Sequence, residues 1–267
     1  MERDSYEGGS DVGRDPARDL GDEPPALIRD AAPNVLAPID ESSPVSGHVP
    51  ARESTTSMVD SPEHDWTLAR DVVRPAFRPV GAQGLAIESV DRETLLAHGA
   101  TSHAQPVIDT GPAGLPIVYT IPAGGFDIVV NGDHVLSWGI EPTELQDAAI
   151  RNLAAWAATA EWTDEVSGDR RLLSSETGDG LDAVRILLPD ALAHLAAELG
   201  DGARVLVGIP ERHLLTAAAL RPADPEFAAL FADFIVEHSG GADEPIDRRM
   251  FEIVDGQLVE FDGAGVA

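Results

Sequence analysis

The chain has 267 residues, 43% of them hydrophobic, and carries 47 acidic residues against 18 basic ones for a formal net charge of −29. Every basic residue is arginine, scattered from Arg3 to Arg249, and without clustered cations to neutralise phosphates, nucleic-acid binding is excluded as an expectation. The absence of cysteine removes disulfides, thiolate metal sites and cysteine nucleophiles.

The negative field points to a basic partner, although a GC-rich coding bias or a salty cytoplasm yields the same composition. The start Met1-Glu2-Arg3-Asp4 has neither the basic opening nor the apolar stretch of a secretory signal. The most apolar segment, Ile186 to Leu199, is interrupted by Pro189, Asp190, His194 and Glu198, short of the roughly 18 to 20 residues a membrane span needs. The expectation is a soluble, cytoplasmic protein without cofactor or membrane partner.

Residues 1–62 are rich in Asp, Glu, Ser, Pro and Gly, with too few apolar side chains to offset the entropy of ordering. They predict a disordered acidic tail: 13 acidic residues against 5 arginines give −8, which leaves −21 for residues 63–267. Within the tail, Ala26 to Val35 reads as a linker or a transient helix limited by Pro24, Pro25 and Pro33.

From His64 to Ala104 the pattern is broken by Pro75, Pro79, Gly81 and Gly84, and predicts a short strand at Leu85–Ile87 and a short helix at Ser89–Leu96. Leu115–Ile121 reads as a strand. Phe126–Val130 and Val135–Trp138, separated by Asn131-Gly132, carry the type I′ hairpin signature. A helix is predicted over Thr143–Ala160, with Thr143 as N-cap and Leu145, Ala148, Ala149, Leu153 and Trp156 at helical spacing. Further hairpins are predicted for Arg171–Ser175 with Leu181–Leu187, and for Phe251–Val254 with Leu258–Phe261 around Asp255-Gly256. Between them lie a helix over Pro189–Leu199 closed by Gly200, the strands Arg204–Ile209 and Leu214–Leu220, and a helix capped by Asp224 that carries Phe227, Leu230, Phe231 and Phe234 on one face. Hairpins mixed with about three main helices give the α+β class, as a single domain over residues 63–267.

Three places carry a resemblance: Ala148, Ala149, Asn152 and Leu153; Leu188 with Pro189–Leu199; and the run Gly208-Ile209-Pro210-Glu211-Arg212-His213-Leu214-Leu215. Over Leu115–Leu220 the chain resembles the YtpQ-like family of uncharacterised bacterial proteins. The resemblance implies a single α+β domain of the bacterial cytoplasm and brings no activity with it. The chain departs from the family pattern at His213, where the family often has Asp, and in its acidic tail.

Asn152 falls on the apolar face of its helix, where an unpaired amide costs about 1 to 3 kcal/mol. It reads either as a bracket holding a neighbouring loop through backbone hydrogen bonds or as a ligand contact. Glu211, Arg212 and His213 gather an acid, a fixed cation and an imidazole just after a strand, the best catalytic candidates; the plainer alternative is a tight turn in which Arg212 pairs with a carboxylate. Asn152 and Arg212 are the candidate binding residues. Ser174 and Ser175 lack a nucleophile elbow, no metal site is expected from His98 and His103, and Gly124-Gly125 precede a strand and so predict a turn, not a phosphate loop. Trp156, Phe227, Phe231 and Phe234 read as core. The functional expectation is a non-catalytic binding or accessory module engaging a protein partner through an acidic surface. The alternatives are a small-molecule hydrolase using Glu211, Arg212, His213 and Asn152, and an immunity or antitoxin-like protein.

Overall fold

Strands that bury both faces read in sequence as near-continuous apolar runs, and this chain supplies several of them. The computed structural model describes residues 61–97 and 103–263. Residues 1–60 of the expected acidic tail, with its Ala26–Val35 segment, and His98 lie outside the described residues.

The first sheet is built from β1 (Arg74–Phe77), β2 (Leu85–Ala86), β3 (Val107–Thr110), β4 (Pro116–Pro122) and β5 (Asp127–Val129). Its order is β1-β4-β3-β2 with β5 added to β4, antiparallel except for β2 beside β3. Along β4, Ile117, Tyr119 and Ile121 point into the main core while Val118 and Thr120 are buried on the other face, so period two is kept although no residue from 117 to 121 is polar-out. Gly124 and Gly125 turn β4 back into β5, with the Ala123 N–H donating to the Phe126 carbonyl at 2.8 Å.

Three short helices accompany this sheet: α1 (Trp66–Ala69), α2 (Arg92–Ala97) and α3 (Gly132–Trp138). The Asn131-Gly132 pair does not make the expected hairpin. Asn131 Oδ1 accepts from the His134 N–H at 3.0 Å and His134 Nδ1 accepts from the Asn131 N–H at 3.1 Å, a reciprocal capping box that starts α3. Asparagine serves tight turns and helix caps alike, and β5 already has its hairpin partner in β4. His134 is 8% exposed, and burial lowers its pKa against the opposing pull of Glu63. The neutral ring is the form that can accept the Asn131 N–H.

The second sheet contains β6 (Thr163–Ser167), β7 (Arg170–Ser175), β8 (Arg204–Glu211), β9 (Leu214–Leu220), β10 (Met250–Val254) and β11 (Gln257–Glu260). It is antiparallel throughout, in the order β11-β10-β8-β9-β7-β6. The expected partner of β7 is replaced: β7 pairs with β6 and β9, and Ala183–Leu187 is a buried 3-10 turn. The β10–β11 hairpin forms around Asp255 and Gly256, both at positive φ, as the Asp-Gly pair predicts.

Three longer helices pack on these sheets: α4 (Pro142–Ala157), α5 (Pro189–Leu199) and α6 (Phe227–Gly241). α4 starts before the expected cap Thr143, because Pro142 fits the first turn and Glu144 Oε2 accepts from the Glu141 N–H at 3.0 Å. Asp224 opens the turn that leads into α6: its carboxylate is held by Arg170 at 2.6 Å and also draws on the Phe227 N–H, and the regular helix begins at Phe227. The main core unites β4, α4, α5 and the inner face of β8 and β9, where Val205, Val207, Ile209, Leu215, Ala217 and Ala219 alternate inward. The intervening Leu206, Ala218 and Leu220 face α6 through Phe227, Phe231 and Ile235. Both helices and sheets are thus present and interleaved, an α+β architecture. Among the described residues no helix is long and apolar enough to cross a membrane.

Candidate functional site

Asn152 projects from α4 toward the connection between α1 and β1. Its Nδ2 donates to the Val73 carbonyl at 2.8 Å and to the Arg70 carbonyl at 3.0 Å. The amide therefore fastens a loop about 80 residues earlier in the chain to the helix; it does not line the cleft that contains Arg212. Asn152→Ala removes both donors, and the expected loss is about 2 kcal/mol in a denaturant titration; an unchanged midpoint would remove the bracket role.

The β8–β9 turn carries Glu211, Arg212 and His213, with a register irregularity between Gly208 and Glu211. Its backbone is tied on two sides: the Arg212 N–H donates to the Glu244 carbonyl at 3.2 Å, and the Arg212 carbonyl accepts from the Ala183 N–H at 3.2 Å. The guanidinium then reaches Asp127 on β5, the Gly180 carbonyl at 3.2 Å and Glu244 at 3.3 Å. Burial works against its charge, yet the hydrogen bond and charge of Asp127, helped by Glu244, hold its pKa above the ordinary value. Arg212 thus clasps the first sheet to the turn of the second. His213 sits 3.9 Å from Glu244, with 42% of its side chain exposed.

Two clefts adjoin at this clasp and share a wall of His213, Asp243 and Glu244. The larger, about 940 Å³, runs along Ala76–Pro79, Thr120, Pro122, Gly125–Asp127, Gly178, Asp179 and Arg212. The smaller, about 690 Å³, lies between Glu211 and the C-terminal end of α6 at Glu237 and His238. Carboxylates dominate both linings: Asp127, Asp179, Glu211, Glu237, Asp243 and Glu244 stand against Arg78 and Arg212. Glu211, Glu237 and Asp243 form no ion pair among the described residues, whereas Arg170, Arg171, Arg204 and Arg249 are spent in ion pairs elsewhere.

The serines are occupied structurally. Ser174 Oγ meets Thr216 Oγ1 at 3.3 Å, and Ser175 Oγ donates to Asp182 at 2.8 Å while accepting from Arg185 at 3.0 Å. Neither has a histidine partner, and no cluster of three or more metal-ligating side chains is placed to hold an ion among the described residues. Trp156 is half-buried and donates its indole N–H to Asp179 at 2.9 Å. The sequence reading missed the network of Asp182 and Arg185. Its signal was two opposite charges, three residues apart, inside the apolar run Leu181–Leu188, where a charge must be paired to be tolerated.

No family model, curated protein or solved structure matches the chain. The functional reading accordingly rests on geometry and charge.

Proposed function

We propose that this protein is a non-catalytic binding module that engages a basic protein partner through the carboxylate-lined clefts beside the β8–β9 turn. The observation that carries this reading is the division of charge around the clasp: Arg212 is consumed by Asp127 and Glu244, while Glu211, Glu237 and Asp243 at the cleft walls have no ion pair among the described residues. Fixed carboxylates with no internal partner in an acidic protein raise the local concentration of cations and steer a basic surface toward them. Catalysis finds less support, because Arg212, although it lines the larger cleft, is engaged by Asp127, Glu244 and the Gly180 carbonyl, and Asn152 is engaged by backbone carbonyls on another loop.

The test compares the native chain with the triple variant Glu211→Gln, Glu237→Gln, Asp243→Asn in capture from native lysate at low and high salt. The reading expects basic proteins to be retained at low salt, released at high salt and lost from the variant. Equal capture by the variant, or capture indifferent to salt, would overturn it.

A further inference from the structure

The larger cleft contains a cation with no carboxylate beside it among the described residues. Arg78 follows β1, its N–H donates to the Pro116 carbonyl at 2.9 Å, and Pro79 restrains its backbone to extended conformations. Its side chain lines the cleft and is only half-exposed, yet it has no carboxylate or carbonyl partner among the described residues. In a chain of 47 acidic residues, an arginine on a cleft wall would ordinarily find a carboxylate, as Arg212 does across the same space. An unengaged guanidinium offers forked donors suited to a carboxylate.

The remainder of the lining limits what can bring that carboxylate. Asp127, Asp179, Asp243 and Glu244 in the same cleft repel a polyanion, and Phe77, Pro79, Phe126 and Pro122 give it apolar walls, with Phe126 66% exposed. An occupant must therefore carry one negative group and compensating positive ones. An unmodified basic polypeptide offers this at its C-terminus whatever its sequence, since the terminal carboxylate there follows cationic side chains.

Resting on the binding function proposed above, we infer that the larger cleft captures the C-terminal carboxylate of the basic partner on Arg78, with the partner's preceding cationic side chains against Asp179, Asp243 and Glu244. A cleft of about 940 Å³ has room for a few residues of extended chain.

The test is fluorescence anisotropy with an N-terminally labelled hexa-arginine peptide, made with a free carboxylate and with an amidated C-terminus, against the full chain and Arg78→Gln. Long-range attraction alone favours the amide, which is one charge more positive. The inference expects the opposite order, with the free acid about tenfold tighter, and expects Arg78→Gln to abolish that preference while a melting curve shows its fold intact. Two outcomes overturn the inference and leave the binding function standing: salt-sensitive binding in which the amide equals or exceeds the acid, and a preference for the acid that survives in Arg78→Gln. Binding of neither peptide overturns both readings.

Discussion

Arg185→Met is expected to lower the free energy of unfolding by about 3 to 5 kcal/mol, the scale for removing one of two opposite buried charges, here linked through the Ser175 hydroxyl, measured by denaturant titration against the native chain. Arg185 is 4% exposed and Asp182 fully buried. The guanidinium donates to the Ala160 carbonyl at 2.7 Å, to those of Glu161 at 3.2 Å and Ala157 at 3.3 Å, and to Ser175 Oγ. It thereby closes the C-terminal end of α4, whose last carbonyls have no helical partner, and it stacks 4.0 Å over Trp162. Asp182 gathers the Ser175 hydroxyl and the Thr177 N–H and hydroxyl. Burial lowers the arginine's pKa, and the charge of Asp182 opposes that shift. Methionine fills much of the volume but abandons the carbonyls and leaves Asp182 as an uncompensated charge. The double variant with Asp182→Asn is expected to lose less than the two single losses together, because the second change removes that stranded charge. A single-variant loss below about 1 kcal/mol, the scale of an exposed pair, would show that the network does not hold α4 to the 3-10 turn.

What was legible beforehand follows from the reach of each interaction. The β10–β11 turn, α5, and the alternation along β8 and β9 are set by neighbours within a few residues, and the sequence pattern places them. Asn131 shows where local information fails: the same side chain serves a type I′ turn or a capping box, and β5's pairing with β4 decides between them. β6 escaped notice because Thr163–Ser167 is exposed along its whole length at the edge of the sheet, so no apolar alternation marks it. Its Asp164 is held by Arg171 at 2.8 Å, and such charges discourage pairing with another chain at a free edge. In the candidate site, the misfit of Asn152 on an apolar face was visible, whereas its partners Arg70 and Val73 were not, being 82 and 79 residues away. Arg212 and Asp127, 85 residues apart, were equally out of reach. Only the prospect of some carboxylate for that arginine could be read from the composition.

The other large effect is expected at Gly208, where α6 comes down on β8. A Cβ added there would stand 2.6 Å from Ile235 Cγ1, 2.8 Å from Ile235 Cδ1 and 3.1 Å from Thr216 Cγ2. Replacing a strand glycine ordinarily stabilises by about 0.4 to 1 kcal/mol through the unfolded chain, so the clash must exceed that gain to set the sign. It does so because Ile235 and Thr216 are fully buried and have no space into which to withdraw. Gly208→Leu is expected to destabilise by about 3 kcal/mol or more, and amide exchange should accelerate first in α6, whose hold on the sheet is the small cluster of Leu206, Ala218, Leu220, Phe227, Phe231 and Ile235. Gly208→Ala combined with Ile235→Ala provides the control: the second change vacates the volume that the new methyl occupies, so the pair should cost less than the separate losses combined. Strict additivity, or loss of protection spread evenly over both sheets, would mean that α6 does not depend on this close approach. The consequence reaches the proposed function, since Glu237 at the end of α6 forms one wall of the smaller cleft, and a helix lifted from β8 would carry that carboxylate away from Glu211.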